Sequence, residues 1–210
     1  MAFFLNFKKS FEELKSVRCL TVTALLIGVS IALKFLLIQP SETLKISFSF
    51  VGLAAIGMLY GPTVAGLAGI VTDVLGFLVK PTGAFSPIFT VVELTGGVIY
   101  GIFLYKLNPA KLDFSSGSAF LSGLKTNSLQ VLRIVGAKFT INLVCNVFMN
   151  TAAMVIMGYF APEVFWVKIW ERIIKNAVML PIEVFILLLV LYPVMIAYRA
   201  AFRHTRSVAK

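Results

Sequence analysis

Apolar runs long enough to cross a bilayer recur along this chain, and nothing else in it restricts the fold as strongly. Thr63 to Val79 and Ile88 to Tyr105 are two such runs. Inside hydrocarbon every backbone N–H and C=O must be satisfied within the segment, so these runs become helices, and roughly 20 residues cross the core. Each of the two holds one carboxylate, Asp73 in the first and Glu93 in the second. A charge in a spanning segment is costly and turns towards a protein interior or a wet cavity. Between the runs lies Lys80-Pro81-Thr82-Gly83-Ala84-Phe85-Ser86-Pro87, a stiff prolyl-glycyl loop. Two carboxylates flanking one restricted loop point to a small-molecule pocket near one membrane face.

Only 13% of the residues are charged and 59% are hydrophobic, against about 25% charged in a soluble domain. The expected fold is an all-α membrane protein with six transmembrane helices. They cover about Arg18–Ile38, Phe48–Tyr60, Thr63–Val79, Ile88–Tyr105, Ile134–Met157 and Arg172–Tyr198. Gly61-Pro62 is a tight-turn signal between the second and third. Leu44, Ile46, Phe48 and Phe50 alternate with polar residues, which suits a short extended segment. Leu107 to Gln130 reads as a polar connector, and a loop with Pro162, Trp166 and Trp170 leads into the last span. Residues 1–17 form a segment of their own, in which Phe3, Phe4, Phe7, Phe11 and Leu14 interleave with Lys8, Lys9, Glu12 and Glu13. That pattern suits a short interfacial helix rather than a cleavable leader. Residues 18–199 make the membrane domain, and 200–210 a basic tail.

The 19 Lys and Arg against 9 Asp and Glu carry topological information. With an even number of spans both termini share a side. That side holds twelve positives and the other five: Lys45, Lys80, Lys168, Arg172 and Lys175. Both termini are therefore expected in the cytoplasm of a multi-pass cell-membrane protein, with the Lys80–Pro87 loop outside. The positives are scattered over loops without a nucleic-acid-binding module. Cys19 and Cys145 fall in apolar runs, too few for a structural zinc site and ill placed for a disulfide framework. The lone His204 disfavours a histidine-based membrane hydrolase, and Gly117 to Thr126 breaks the Walker A spacing. No enzymatic activity, metal or cofactor is expected.

Three polar or small-residue patterns remain. Ala24, Gly28 and Ala32 make a small-residue ridge on one helix face, suited either to internal packing or to a partner helix. Lys138, Asn142, Asn146 and Asn150 recur every four residues, as glue between helices or as the wall of a polar cavity. Arg172, Asn176 and Glu183 share a face of the last span. Arg172 suits either an anionic ligand group or the headgroup level, and Glu183 a structural contact with Lys138 or Lys34.

Phe48–Pro62 (FSFVGLAAIGMLYGP), the third span with Asp73, Lys80–Gly101 (KPTGAFSPIFTVVELTGGVIYG) and Arg172–Glu183 (RIIKNAVMLPIE) resemble the folate-type substrate-binding subunits, or S-components, of energy-coupling factor (ECF) transporters. The resemblance covers nearly the whole chain. It implies a vitamin-capturing subunit that works with a membrane coupling subunit and two cytoplasmic ATPases and that tips over in the membrane to deliver its load. It gives Ala24, Gly28 and Ala32 the role of docking against the coupling subunit, with Gly28 standing where an alanine is expected. Folate is the favoured ligand, with hydroxymethylpyrimidine, pantothenate and queuosine precursors as alternatives. Glu93 departs from the small or hydroxyl residue expected there and suits the 2-amino and N3–H edge of a pterin. The ligand-binding set is Lys45, Lys80, Phe85, Glu93, Asn142, Asn146, Arg172 and Asn176. Asp73 is read as a scaffold residue. A stand-alone secondary carrier using Asp73, Glu93 and Glu183 as a relay is the rival, and the chain lacks the inverted repeat of broken helices that many such carriers have.

Overall fold

The computed structural model describes residues 2–38, 46–81, 85–109 and 116–203. Nine α-helices are present among them: α1 (Ala2–Glu13), α2 (Val17–Leu33), α3 (Phe50–Tyr60), α4 (Pro62–Val79), α5 (Pro87–Leu104), α6 (Gly117–Thr126), α7 (Ser128–Ile141), α8 (Asn150–Ile156) and α9 (Phe165–Arg203). A π-helical segment, Asn142–Met149, joins α7 to α8 without a break. Two-residue strands β1 (Leu37–Ile38) and β2 (Ile46–Ser47) pair antiparallel, Leu37 with Ser47 and Ile38 with Ile46. Only Ile46–Ser47 of the extended stretch expected around residues 41–50 is described as a strand.

Four helical stretches are long and apolar enough to cross a membrane: α4, α5, residues 128–156 and residues 162–202. Helices α1 and α2 meet at 89°, so they do not form one straight span. Helix α3 has 11 residues, a length of about 16 Å, and cannot cross a bilayer alone. It is instead buried almost from end to end, as expected of a helix apolar all round. The six apolar segments of the sequence thus persist as α2, α3, α4, α5, α7–α8 and α9, with α3 as an internal post.

Two connecting regions are more ordered than their composition suggested. The polar connector contains α6, started by Ser116, whose Oγ accepts from the N–H of Ala119. The stretch holding Trp166 and Trp170 is the first part of α9, preceded by a 3-10 turn at Pro162–Val164. Pro162 opens that turn, where its missing N–H costs no hydrogen bond. Helix α9 therefore has 39 residues, about 58 Å, and reaches Arg203, past the expected start of the tail at 200. Of the tail's charged residues, His204, Arg206 and Lys210 lie outside the described residues.

Helices α4 and α5 lie in close contact. A Cβ on Gly97 would run into the backbone of Ala65 and Gly66, so the two helices meet through bare backbone. Gly61 turns the chain between α3 and α4 at φ 88°, a conformation that favours glycine. At the other end of α5, Arg133 donates from Nε to the carbonyl of Phe103 at 2.7 Å and from Nη2 to that of Tyr105 at 3.0 Å. These carbonyls have no intrahelical partner, so α7 supplies the missing donors and fixes its own position against α5. Around this frame Tyr60, Tyr100, Ile56, Met58, Leu104, Leu187 and Leu191 form the fully buried centre.

Replacing Gly97 with valine is expected to destabilise the fold by roughly 1–3 kcal/mol through overpacking. Thermal unfolding of the purified variant in detergent checks this; an unchanged midpoint would contradict direct contact between the helices.

Candidate functional site

The polar stripe of the fifth span and the polar face of the last span face each other. Lys138 Nζ lies 3.0 Å from Glu183 Oε1, with only 3% of the lysine side chain exposed. Glu183 Oε2 accepts from Asn142 Nδ2 at 2.9 Å. Lys138 Nζ also sits 4.0 Å from the centroid of the Phe50 ring, so the ammonium is held by a carboxylate and an aromatic face together. Of the two partners the sequence offered for Glu183, the fold selects Lys138. Lys34 donates instead to the carbonyl of Thr72 on α4, at 3.3 Å.

The π-helical segment continues the network. Asn146 Nδ2 donates to Asn142 Oδ1 at 2.9 Å and to Asn176 Oδ1 at 3.4 Å. Asn176 Nδ2 donates to the carbonyl of Arg172 at 2.8 Å, and Arg172 Nη1 donates to the carbonyl of Asn146 at 3.0 Å. These bonds close a ring between the π-helical segment and α9. A π-helix shifts the backbone bonds by one residue and recurs at functional sites. Here the Arg172 guanidinium satisfies a carbonyl within that widened stretch. The stripe is thus both glue and wall: Lys138 and Asn142 bind helix to helix, whereas Asn146 and Asn150 line open space.

That space is a cavity of about 630 Å³, lined by Asn146, Asn150 and Phe160 on one side and by Lys168, Arg172, Lys175, Asn176, Met179 and Glu183 of α9 on the other. Its rim is mixed in charge: Glu171 lies 2.6 Å from Lys168, beside Arg172 and Lys175. Its floor is the amide and carboxylate network. Volume and lining suit a drug-sized polar ligand with an anionic end.

Of the expected site residues, Asn146, Arg172 and Asn176 stand on this wall, and Asn142 supports it from behind. Lys80 and Phe85 lie on the α2–α4–α5 side: Lys80 Nζ is 5.4 Å from the Phe35 ring centroid, and the Phe85 and Phe77 rings are 5.2 Å apart. Ser86, at the end of the prolyl-glycyl loop, caps α5 by accepting from the N–H of Ile88. Residues 82–84 of the loop and Lys45 lie outside the described residues.

Glu93 is not among the residues that line this cavity. It shares a helix face with Gly97, Tyr100 and Leu104, all buried, yet its own side chain is exposed. Its charged neighbours are Lys34, Asp73 and Lys138. Lys34 is bonded to Thr72 and Lys138 to Glu183, while Asp73 Oδ2 accepts from Thr90 Oγ1 at 2.7 Å. Among the described residues no hydrogen bond or ion pair reaches the Glu93 carboxylate. Asp73 joins α4 to α5, as its reading as a scaffold residue required. Sequence reasoning missed the place of Lys34 beside this pair, and it missed Tyr100, whose buried Oη has no hydrogen-bond partner among the described residues. Tyr100 follows Glu93 by seven residues, a spacing that puts both on one face.

The ridge on α2 is also located. Ala24, Gly28 and Ala32 are all exposed, and a Cβ on Gly28 would meet nothing within 4 Å. The opposite face, with Cys19, Leu26, Ile27 and Ser30, packs inward. Among the described residues, the small residues therefore pack against nothing at the Gly28 position.

Comparison with known proteins is consistent with this arrangement. The family model described as "ECF transporter, substrate-specific component" matches residues 18–191. The folate transporter FolT of Clostridium novyi (strain NT) is 31% identical over 175 residues, which cover 83% of this chain and 88% of that protein. FolT of Leuconostoc mesenteroides subsp. mesenteroides is 29% identical over 146 residues, 69% of each chain. A solved structure described as the crystal structure of FolT bound with folic acid superposes with a TM-score of 0.61 at 26% identity, covering 82% of this chain and 91% of that one.

Replacing Lys138 with methionine leaves Glu183 buried without its cation and is expected to cost roughly 3–5 kcal/mol, much of it regained when Glu183 is also replaced by leucine. Unfolding of the two single variants and the double variant in detergent measures this. Additive losses would contradict a direct pair.

Proposed function

The chain belongs to the family of ECF transporter substrate-specific components, and on that premise we propose that it captures folate and passes it to a membrane coupling subunit driven by two cytoplasmic ATPases. The observation that carries the ligand assignment is Glu93, a carboxylate on the inward face with no hydrogen bond or ion pair among the described residues. The 2-amino-4-oxo edge of a pteridine offers two neighbouring N–H donors, which a carboxylate accepts side by side. The names of the similar proteins, folate transporters, and the folic acid held by the similar solved structure support the same reading.

The remaining roles follow from chemistry. Asn146 and Asn176 offer amides to the ring and linker, with Asn142 holding Asn146 in place. Arg172, with Lys168 and Lys175 on the same rim, meets the carboxylates of the glutamate end. Lys80 and Phe85, near Phe35 and Phe77, are further candidate ligand contacts, and Lys45 is one from the sequence alone. Capture requires no covalent step, so the chain acts by binding alone, and ATP hydrolysis belongs to its partners. The excess of Lys and Arg on one side supports cytoplasmic termini and capture from outside. The outward small-residue ridge of α2 is the face offered to the coupling subunit.

Isothermal calorimetry on the purified protein without ATP is expected to show folate binding, and Glu93→Ala to weaken it roughly 10- to 100-fold. Absence of folate heat, with binding of another vitamin, would overturn the folate assignment. Gly28→Leu is expected to leave folate binding unchanged while uptake by the assembled transporter falls to background. Uptake into liposomes by this chain alone would instead favour a secondary carrier.

A further inference from the structure

The family match begins at residue 18, so α1 lies outside the shared domain. Yet α1 is firmly docked. Ser10, fully buried, accepts at Oγ from the N–H of Thr63 at 3.0 Å and from the N–H of Val64 at 3.1 Å. Thr63 Oγ1 in turn donates to the carbonyl of Phe7 at 3.0 Å. The first N–H groups of a helix have no partner within it, and α4 opens with Pro62, which has none to offer. One serine on α1 thus caps α4, a service usually done by the residue just before the helix.

The rest of α1 is built for a different neighbour. Its 89° bend from α2 lays it across the direction of a membrane-crossing helix. Phe7, Ser10 and Leu14 share the face turned to the bundle. Glu13 also turns inward, with Cys19, Tyr60 and Tyr105 in its field. The outer surface carries exposed Lys8 and Lys9 against Glu12, flanked by exposed Leu5 and Phe11, and exposed Lys15 follows in the turn after the helix. Lysines beside exposed apolar side chains on a helix lying flat fit an acidic headgroup layer: cations meet the lipid phosphates and the apolar side chains enter beneath.

We infer that α1 is an arm that binds the anionic phospholipid surface of its leaflet through Lys8, Lys9 and Lys15 and, through Ser10, ties that surface to the start of α4. The inference is independent of the folate assignment. It predicts that lipid charge is felt at α4, which shares the Gly97 contact with α5, the helix that bears Glu93.

The test is hydrogen–deuterium exchange on the full chain in nanodiscs of phosphatidylcholine alone or mixed with phosphatidylglycerol. Amides of residues 5–13 are expected to exchange roughly tenfold more slowly with the acidic lipid, and the difference to shrink as salt rises. Charge reversal at Lys8, Lys9 and Lys15 is expected to abolish the difference while the thermal unfolding midpoint, as a check on folding, stays unchanged. Ser10→Ala is expected to speed exchange at residues 63–65 in both lipids while α1 keeps its response to acidic lipid. Equal exchange of α1 in the two lipids would overturn the inference. So would protection that ignores lipid charge and arises only when the coupling subunit is added.

Discussion

A buried ion pair between Lys138 and Glu183 sets the terms for the rest of the molecule. Two charges taken out of water are tolerated only when each finds close partners, and here the pair is completed by the Asn142 amide and the Phe50 ring. It fixes α7 against α9 and so aligns the π-helical segment with the first half of α9. The ring of bonds among Asn146, Asn176 and Arg172 follows from that alignment. The pair also occupies Lys138. Lys34, near Glu93, donates to the carbonyl of Thr72, and among the described residues no hydrogen bond or ion pair reaches the Glu93 carboxylate.

Small residues divide inside from outside. Gly97 brings α4 and α5 together by their backbones, which holds Glu93 and Asp73 on adjoining helices. On α2 the same residue class faces outward, where no described residue lies within 4 Å of a Cβ on Gly28. One helix thus presents a packed face to the bundle and a smooth face to whatever lies beside it in the membrane.

The apolar runs were legible because spanning helices need little beyond length and hydropathy. Helix α6 was missed because a polar stretch reads as loop unless the capping role of Ser116 is weighed. The two tryptophans were misplaced because Pro162 was read as a loop marker, when it starts the turn that leads into α9. In the site, the spacing of Lys138, Asn142, Asn146 and Asn150 and its match to Glu183 survived. The π-helical segment could not be foreseen: it depends on one shifted bond per turn and on Arg172, which arrives from 26 residues away. Nor could the isolation of Glu93, which depends on where other residues send their cations.

That isolation is the centre of the account, and discrimination between folate and 2-deaminofolate tests it most directly. The analogue keeps the ring, the linker and the glutamate end but lacks one of the two N–H donors from which a carboxylate at Glu93 would accept. The prediction is that wild type binds folate at least roughly tenfold more tightly than the analogue and that Glu93→Gln narrows the gap. Equal affinity of the wild-type protein for the two compounds would contradict it.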